Sequence, residues 1–291
     1  MQPVFRHREV ADLAWCIGSP PLCSEPPDSH ARWVSASQCR DEWEALAPWF
    51  DALDDDPTAL QRFLGERRSP RLGHYFEALT SFWLEHGPGL HRVAEAVVLK
   101  RDGQTLGELD FVYSREPENQ PIHLEVAAKF YLRVDRAAQL SSYLGPGLRD
   151  RFDLKWRKLE LEQSRRGLEP VAADTLGVAL PCAEVRLKGV LFEPLGVEEA
   201  LPAETAEGCL RGIWLRVSEL EQVESKRRWH RLSKLEWLSG ADPGAPGLSF
   251  GDLHAMLVDE CPRPVQISEC EDSVERARFF VVPNDFPARV S

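Results

Sequence analysis

No run of eighteen consecutive apolar residues occurs in this 291-residue chain, so the sequence offers no membrane-spanning helix. The opening stretch, MQPVFRHREVADLAW, is too charged for the apolar region of a secretory signal. Both absences lead to the expectation of a soluble, cytoplasmic protein with no membrane partner. Cysteine is scattered: Cys16, Cys23, Cys39, Cys182, Cys209, Cys261 and Cys270 form no Cys-x-x-Cys pair, and their number is odd. This argues against a disulfide framework and against a structural zinc site, and predicts reduced, largely buried thiols. Also missing are the Gly-x-Ser-x-Gly of a serine nucleophile and the His-Glu-x-x-His of a zinc hydrolase. Gly87-Pro88-Gly89 and Gly145-Pro146-Gly147 do not lead into Gly-Lys-Ser/Thr, so neither is a phosphate loop. No internal repeat or low-complexity tract is present.

Positive charge is in deficit. Lys and Arg number 35 against 47 Asp and Glu, a formal net charge of -12. A protein that binds nucleic acid without regard to sequence normally carries a basic excess, because phosphate contacts supply most of its affinity. The deficit is uneven, however. Arg133, Arg136, Arg149, Arg151, Lys155, Arg157, Lys158, Arg165 and Arg166 cluster in one segment, and Lys226, Arg227, Arg228, Arg231 and Lys234 in another. Each run reads equally as a solvated helix face or as a local basic surface able to meet DNA.

A hydrophobic fraction of 43% and nine Trp provide for a substantial core. Residues 1–30 read as a short helix and a turn-rich loop. Cys39–Leu64 has helical periodicity, broken by the acidic Asp51–Asp56. Ser69-Pro70 supplies an N-cap and a first-turn proline. The following helix, Arg71–His86, carries Leu72, Phe76, Leu79 and Trp83 as one apolar stripe and stops at Gly87-Pro88-Gly89. Val93–Lys100 reads as a strand, and Asp102-Gly103 as the hairpin turn into Leu106–Tyr113. Pro121–Leu132 is a third strand. Helices are predicted over Arg133–Tyr143 and Leu148–Arg165. Further on, Val185–Phe192, Gly212–Val217 and Phe279–Val282 read as strands, Gln222–Leu238 as an amphipathic helix, and Ala241–Gly251 as loop. The expected organisation is an N-terminal helical extension (1–68), an α/β core (69–166) and a C-terminal α/β extension packed on it (167–291).

Two strands carry acids where a core strand should not. Period-two alternation puts Glu108 and Asp110 with Leu106 and Val112 on one face. In the next strand Ile122, Leu124, Val126, Ala128 and Phe130 form a continuous apolar face, while His123, Glu125, Ala127, Lys129 and Tyr131 share the other. That pattern is unusual unless the polar face lines a cleft.

Taken in order, these residues resemble the PD-(D/E)XK nuclease superfamily, in its RecB-like branch. Gly73-His74-Tyr75-Phe76-Glu77 matches the Gly-x-x-x-Glu of the first helix. Asp110 matches the acid ending the second strand, and Glu125 the acid of the third. Gln139-Leu140-Ser141-Ser142-Tyr143 matches a following Gln-x-x-x-Tyr. The chain as a whole also resembles a bacterial family of unknown function that shares its Glu-Leu-Asp-Phe and Glu-Val-Ala-x-Lys-Phe-Tyr-Leu phrases. The superfamily lysine stands two residues after the glutamate, where this chain has Ala127. Lys129 keeps the same face but starts roughly 13 Å along the strand from Glu125, at about 3.3 Å per residue.

The resemblance implies a restriction-endonuclease-like α/β core, a mixed central sheet flanked by helices. It also implies a Mg2+- or Mn2+-dependent hydrolase of phosphodiester bonds, with DNA the expected substrate. Asp110, Glu125 and Glu77 would be metal ligands, and Lys129 would orient the attacking water. Gln139, Tyr143 and His123 would shape the cleft. The alternative is a nuclease-like fold without catalysis, binding nucleic acid or a protein partner. Taken singly, Glu77 also reads as a solvated helix residue, Glu125 with Lys129 as a surface ion pair, and His123 as a structural histidine.

Overall fold

A computed structural model describes residues 5–197, 200–242, 244–260, 262–272 and 274–287. Cys261, named above, and Pro243 of the predicted Ala241–Gly251 loop lie outside these residues. The helices are α1 (Arg8–Gly18), α2 (Ala36–Asp55), α3 (Thr58–Glu66), α4 (Leu72–His86), α5 (Phe152–Lys158), α6 (Ser164–Arg166), α7 (Pro170–Leu176) and α8 (Phe250–Glu260). A π-helical turn, Leu159–Gln163, joins α5 to α6 in one helical run. The strands are β1 (Ala31–Trp33), β2 (Leu90–Arg101), β3 (Gln104–Arg115), β4 (Ile122–Arg133), β5 (Tyr143–Leu144), β6 (Ala183–Pro194), β7 (Leu210–Arg216), β8 (Arg228–Leu232), β9 (Val265–Glu271) and β10 (Val274–Val282).

All ten strands belong to one mixed sheet in the order β2-β3-β4-β6-β7-β10-β9-β8, with β1 beside β6 and β5 beside β4. Pairing is antiparallel through the β2-β3-β4 meander and parallel where β4 meets β6, β6 meets β7 and β7 meets β10. Helices flank this sheet, which gives the α/β architecture read from the sequence, with extensions at both ends. The stripe Leu72, Phe76, Leu79 and Trp83 of α4 is buried as its spacing requires, in a core shared with α1, α2 and one face of β4. The opposite face of β4 does not look onto water. Tyr131 and Ala127 there pack with Phe152 and Leu159 of the α5 run. Parallel strands covered on both sides bury both faces. His123 and Glu125 are accordingly fully buried rather than displayed. Among the described residues, Cys16, Cys23, Cys39, Cys182, Cys209 and Cys270 are free thiols, and only Cys182 is not fully buried.

Two predicted helices are corrected. Arg133–Tyr143 contains the last residue of β4, a bend, a single 3-10 turn (Leu140–Ser142) and the start of β5. Leu132 and Arg133 pair with Leu144 and Tyr143, so closing that short ladder overrides the local helical preference. Gln222–Leu238 divides into a 3-10 segment ending at Val223, strand β8, and a 3-10 turn at Lys234–Trp237. There Trp229 and Leu232 are drawn into the sheet edge against β9. Helix α8 and strand β9 follow the predicted loop, in a stretch whose sequence carries no clear period.

The N-terminal helices are fastened to the sheet by buried charge. Arg186 on β6 donates two hydrogen bonds of 2.8 Å to Glu42 of α2 and one of 2.8 Å to Glu184. Its guanidinium also lies 4.6 Å from the ring of Trp83. Arg32 pairs with Glu184, and Arg115 with Glu42. Burial pushes both carboxyls up, but Arg186 outweighs it, and both are held below the usual carboxylate range. Their contribution to stability is therefore present above that range and is lost as pH falls through their lowered values. Replacing Arg186 by Met should destabilise the protein by about 3–5 kcal/mol, because two acids lose their principal partner in a dry setting. Urea unfolding at neutral pH measures this.

Candidate functional site

The β3–β4 ladder is short. Tyr113, Val112 and Phe111 pair with Ile122, His123 and Leu124, and there it ends. Beyond that point β3 continues against β2 alone, leaving the near edge of β4 without a strand until β5 joins at Leu132. Asp110 and Glu125 are the next residues on each side of the parting. Asp110 fills the fork itself, its Oδ2 accepting the Val126 amide at 3.0 Å. The side chain thus satisfies a backbone donor that the missing strand would otherwise have met.

A cleft of about 480 Å³ lies along this free edge. Gly73, Phe76 and Glu77 of α4 form one wall, Val126–Phe130 of β4 the floor, and the 145–150 loop with Lys155 of α5 the other wall. The electrostatics are those of crowded acids. Burial, then Glu125 and Glu77, push the Asp110 carboxyl up to about 8, against the opposing pull of the Val126 amide and Lys155. Burial likewise raises Glu77, and Glu108 and Glu95 add to it. Burial and the neighbouring Lys129 lower the Lys155 ammonium, while Glu125 and Asp110 hold it up.

Lys129 lines the cleft, but its Nζ is spent on Asp150 Oδ2 at 2.6 Å. Lys155, rather than Lys129, is the lysine whose charge acts on Asp110 and Glu125 and, after His74, on Glu77. Its Nζ donates to Gln163 Oε1 at 3.0 Å, and Gln163 Nε2 donates to Glu125 Oε2 at 2.7 Å. One amide therefore bridges the lysine and the buried acid. The other oxygen of Glu125 lies 2.9 Å from His123 Nε2. The π turn matters here: its wider winding rotates Gln163 back toward the face of the helical run that carries Lys155.

Of the seven residues predicted, Glu77, Asp110, Glu125 and His123 are brought together. Lys129 is at the cleft but paired elsewhere. Gln139 is exposed in the bend after β4, and Tyr143 is buried, its hydroxyl donating to Glu193 at 2.6 Å. The sequence reading missed Lys155 as a site residue, counting it only within a basic run, and missed Gln163 altogether. The available signal was position: Lys155 lies on the first true helix after the third strand, beside the apolar Phe152 and Trp156.

Asp110, Glu125, Glu77 and the Val126 carbonyl are hard oxygen donors, the kind that Mg2+ and Mn2+ prefer. A bound cation would favour the ionised form of Asp110, which burial and the neighbouring Glu125 and Glu77 disfavour. In kind, then, the residues fit a divalent ion. In arrangement they are not assembled around one, since among the described residues no group of three or more His, Cys, Asp or Glu is set to hold a metal. Glu125 instead spends both oxygens on His123 and Gln163.

The family described as "Domain of unknown function (DUF1853)" matches residues 11–282. The chain belongs to that family. Its α/β fold is broadly compatible with a nuclease-like architecture, and the DUF1853 match takes in every candidate residue above as well as the C-terminal strands. No curated protein and no solved structure matches the chain.

Because Asp110 sits far above its ordinary value, ionising it in the folded protein costs stability, and that cost grows as pH rises from about 4 to about 8. Asp110→Asn keeps an acceptor for the Val126 amide and removes the charge. It should stabilise the protein on the order of 2 kcal/mol at pH 8 and far less at pH 4, as thermal unfolding at the two pH values will show.

Proposed function

We propose that this protein is a divalent-metal-dependent nuclease whose reacting centre is the fork between β3 and β4, with Lys155 in the role expected of Lys129. One observation carries the reading. The cleft is lined by Arg71, Lys129, Arg149, Lys155 and Lys234, and among the described residues only Lys129 has a carboxylate ion-pair partner. On a chain of net charge -12, three cations beside one groove that neither pair with an acid nor serve the acid cluster, Arg71, Arg149 and Lys234, are suited to a polyanion. The acids, buried and mutually repelling, supply the complementary feature of a cation site.

In this reading Asp110 and Glu125, with Glu77 and the Val126 carbonyl, would hold Mg2+ or Mn2+. The ion supplies charge neutralisation at the phosphate and a more acidic water. Lys155, as the ammonium, would stabilise charge developing on the phosphoryl oxygens and orient the attacking water. Gln163 keeps Lys155 and Glu125 in register. His123 holds Glu125 from the opposite side, and to ligate an ion Glu125 would have to give up its contact with Gln163. Arg71 and Arg149 take neighbouring phosphates, and DNA is the substrate to test first.

The second reading, a nuclease-like fold that binds without cutting, is favoured by the full hydrogen bonding of Glu125. Calorimetry with Mg2+ and Mn2+ on the wild type and on Asp110→Ala/Glu125→Ala separates the two. Binding abolished in the double variant supports the nuclease, whereas no binding with or without DNA supports the second reading. Apparent metal affinity should rise with pH up to about 8, because protons compete for Asp110 below that value. In cleavage assays Lys155→Met should lose about 100-fold or more in kcat, and Lys129→Met less than about fivefold. Equal losses in the two variants would remove Lys155 from its assigned role.

A further inference from the structure

Beside the cleft is a second, larger hollow of about 620 Å³ that the proposed chemistry does not use. Its floor is apolar, with Leu64, Ala78 and Leu235, and its rim carries Arg8, Arg67 and Arg68 against a single lining acid, Glu9. The two hollows flank one ridge. Ser69 and Pro70 line the second hollow while Arg71 and Leu72 line the cleft, and Leu235 faces the second while Lys234 faces the cleft. At two independent points of the chain, then, adjacent residues serve the two hollows, and the ridge between them carries Arg71 and Lys234.

The rim cations are not all committed. Arg67 is spent on Glu95 at 2.6 Å. Arg68 is exposed and has no ion-pair partner among the described residues. Arg8 is half-buried, lies 3.7 Å from Asp12, and its buried Nε makes no hydrogen bond. Asp12 is otherwise occupied, accepting from Tyr75 at 2.8 Å and from the Ser239 hydroxyl and amide at 2.6 and 3.1 Å. The result is an apolar floor wide enough for a base, with two guanidinium groups at its rim and a basic ridge leading to the cleft.

We infer that this second hollow seats an unpaired strand of nucleic acid where it leaves the cleft, a base lying over Leu64 and Leu235 and its phosphate meeting Arg68 and Arg8. The inference rests on the cleft being a nucleic-acid site, and it adds a preference for single strands long enough to cross the ridge. A duplex is poorly suited, because its bases are paired and cannot enter the apolar floor. The strand's phosphates would pass Arg71 and Lys234 on the way.

Fluorescence anisotropy on the full chain, in EDTA so that nothing is cut, tests this. The probes are labelled oligo-dT of about four and about sixteen nucleotides, the span of common single-strand site sizes. Arg68→Glu should weaken the longer probe about tenfold and the shorter less than about twofold. It should also lower the salt slope for the longer probe by about 0.7, the value of one phosphate contact on a single strand. Arg68→Lys should restore most of the loss, and an unchanged thermal melt excludes misfolding. The inference is overturned if Arg68→Glu leaves the longer probe unaffected while Arg71→Glu weakens it, and equally if the wild type binds neither probe. Length-dependent binding that Arg68→Glu abolishes, in a protein that never hydrolyses DNA, would sustain the strand path and remove the catalytic reading.

Discussion

The parting of β3 from β4 after the Phe111–Leu124 pair is the constraint on which the rest of the molecule depends. A sheet that opened there without compensation would leave backbone donors of β4 buried and unmet, at a cost comparable to a lost hydrogen bond for each. Asp110 removes one such defect by accepting the Val126 amide. An acid is a costly choice for that duty, because an amide or hydroxyl would serve without introducing charge. Choosing a carboxyl, and setting it within reach of Glu125 and Glu77, trades stability for a group whose titration is moved far from its ordinary range, a pattern typical of functional sites.

The helical run after the 145–150 loop answers that potential. Lys155 brings one cation into the acid cluster, and Gln163 reaches the fully buried Glu125 from the same run. The π turn between them makes the geometry work, and such turns are concentrated at sites where a helix must aim a side chain off its regular period. The basic residues in this segment therefore divide into two populations. Lys155 is drawn inward, whereas Arg157, Lys158 and Arg165 remain on the solvent side.

Much of this was legible in the residues. The α4 stripe, the Asp102-Gly103 turn and the three strands of the meander are encoded locally, by period and by turn chemistry, so reading them in sequence sufficed. The acids were legible because charge on a strand alternation conflicts with burial, and a conflict of that kind points to a site. Lys155 was harder to find. Its position depends on which segment becomes the next helix, and Arg133–Tyr143 looks helical in isolation while closing a ladder with β4 in the folded chain. Gln163 was illegible for a stricter reason, since an underwound turn shifts the register that any helical projection assumes. The burial of both faces of β4 was hidden too, because its parallel partner β6 lies some sixty residues further along the chain.

That long reach has a counterpart at the other end of the molecule. Strand β6 carries two buried cations whose partners were made at the very start of the chain. Arg186 meets Glu42 across 144 positions, and Lys188 donates to the carbonyl of Ile17 across 171. Neither cation can be desolvated until its acceptors are in place, and until β6 arrives α2 is tied to the sheet by the Arg115–Glu42 pair without the buried Arg186. The N-terminal helices and the central strand are thus completed together, late in synthesis. Contacts this distant in sequence make folding slow, with Glu42 and the Ile17 carbonyl waiting for their buried cations while about half of the polypeptide is still being made.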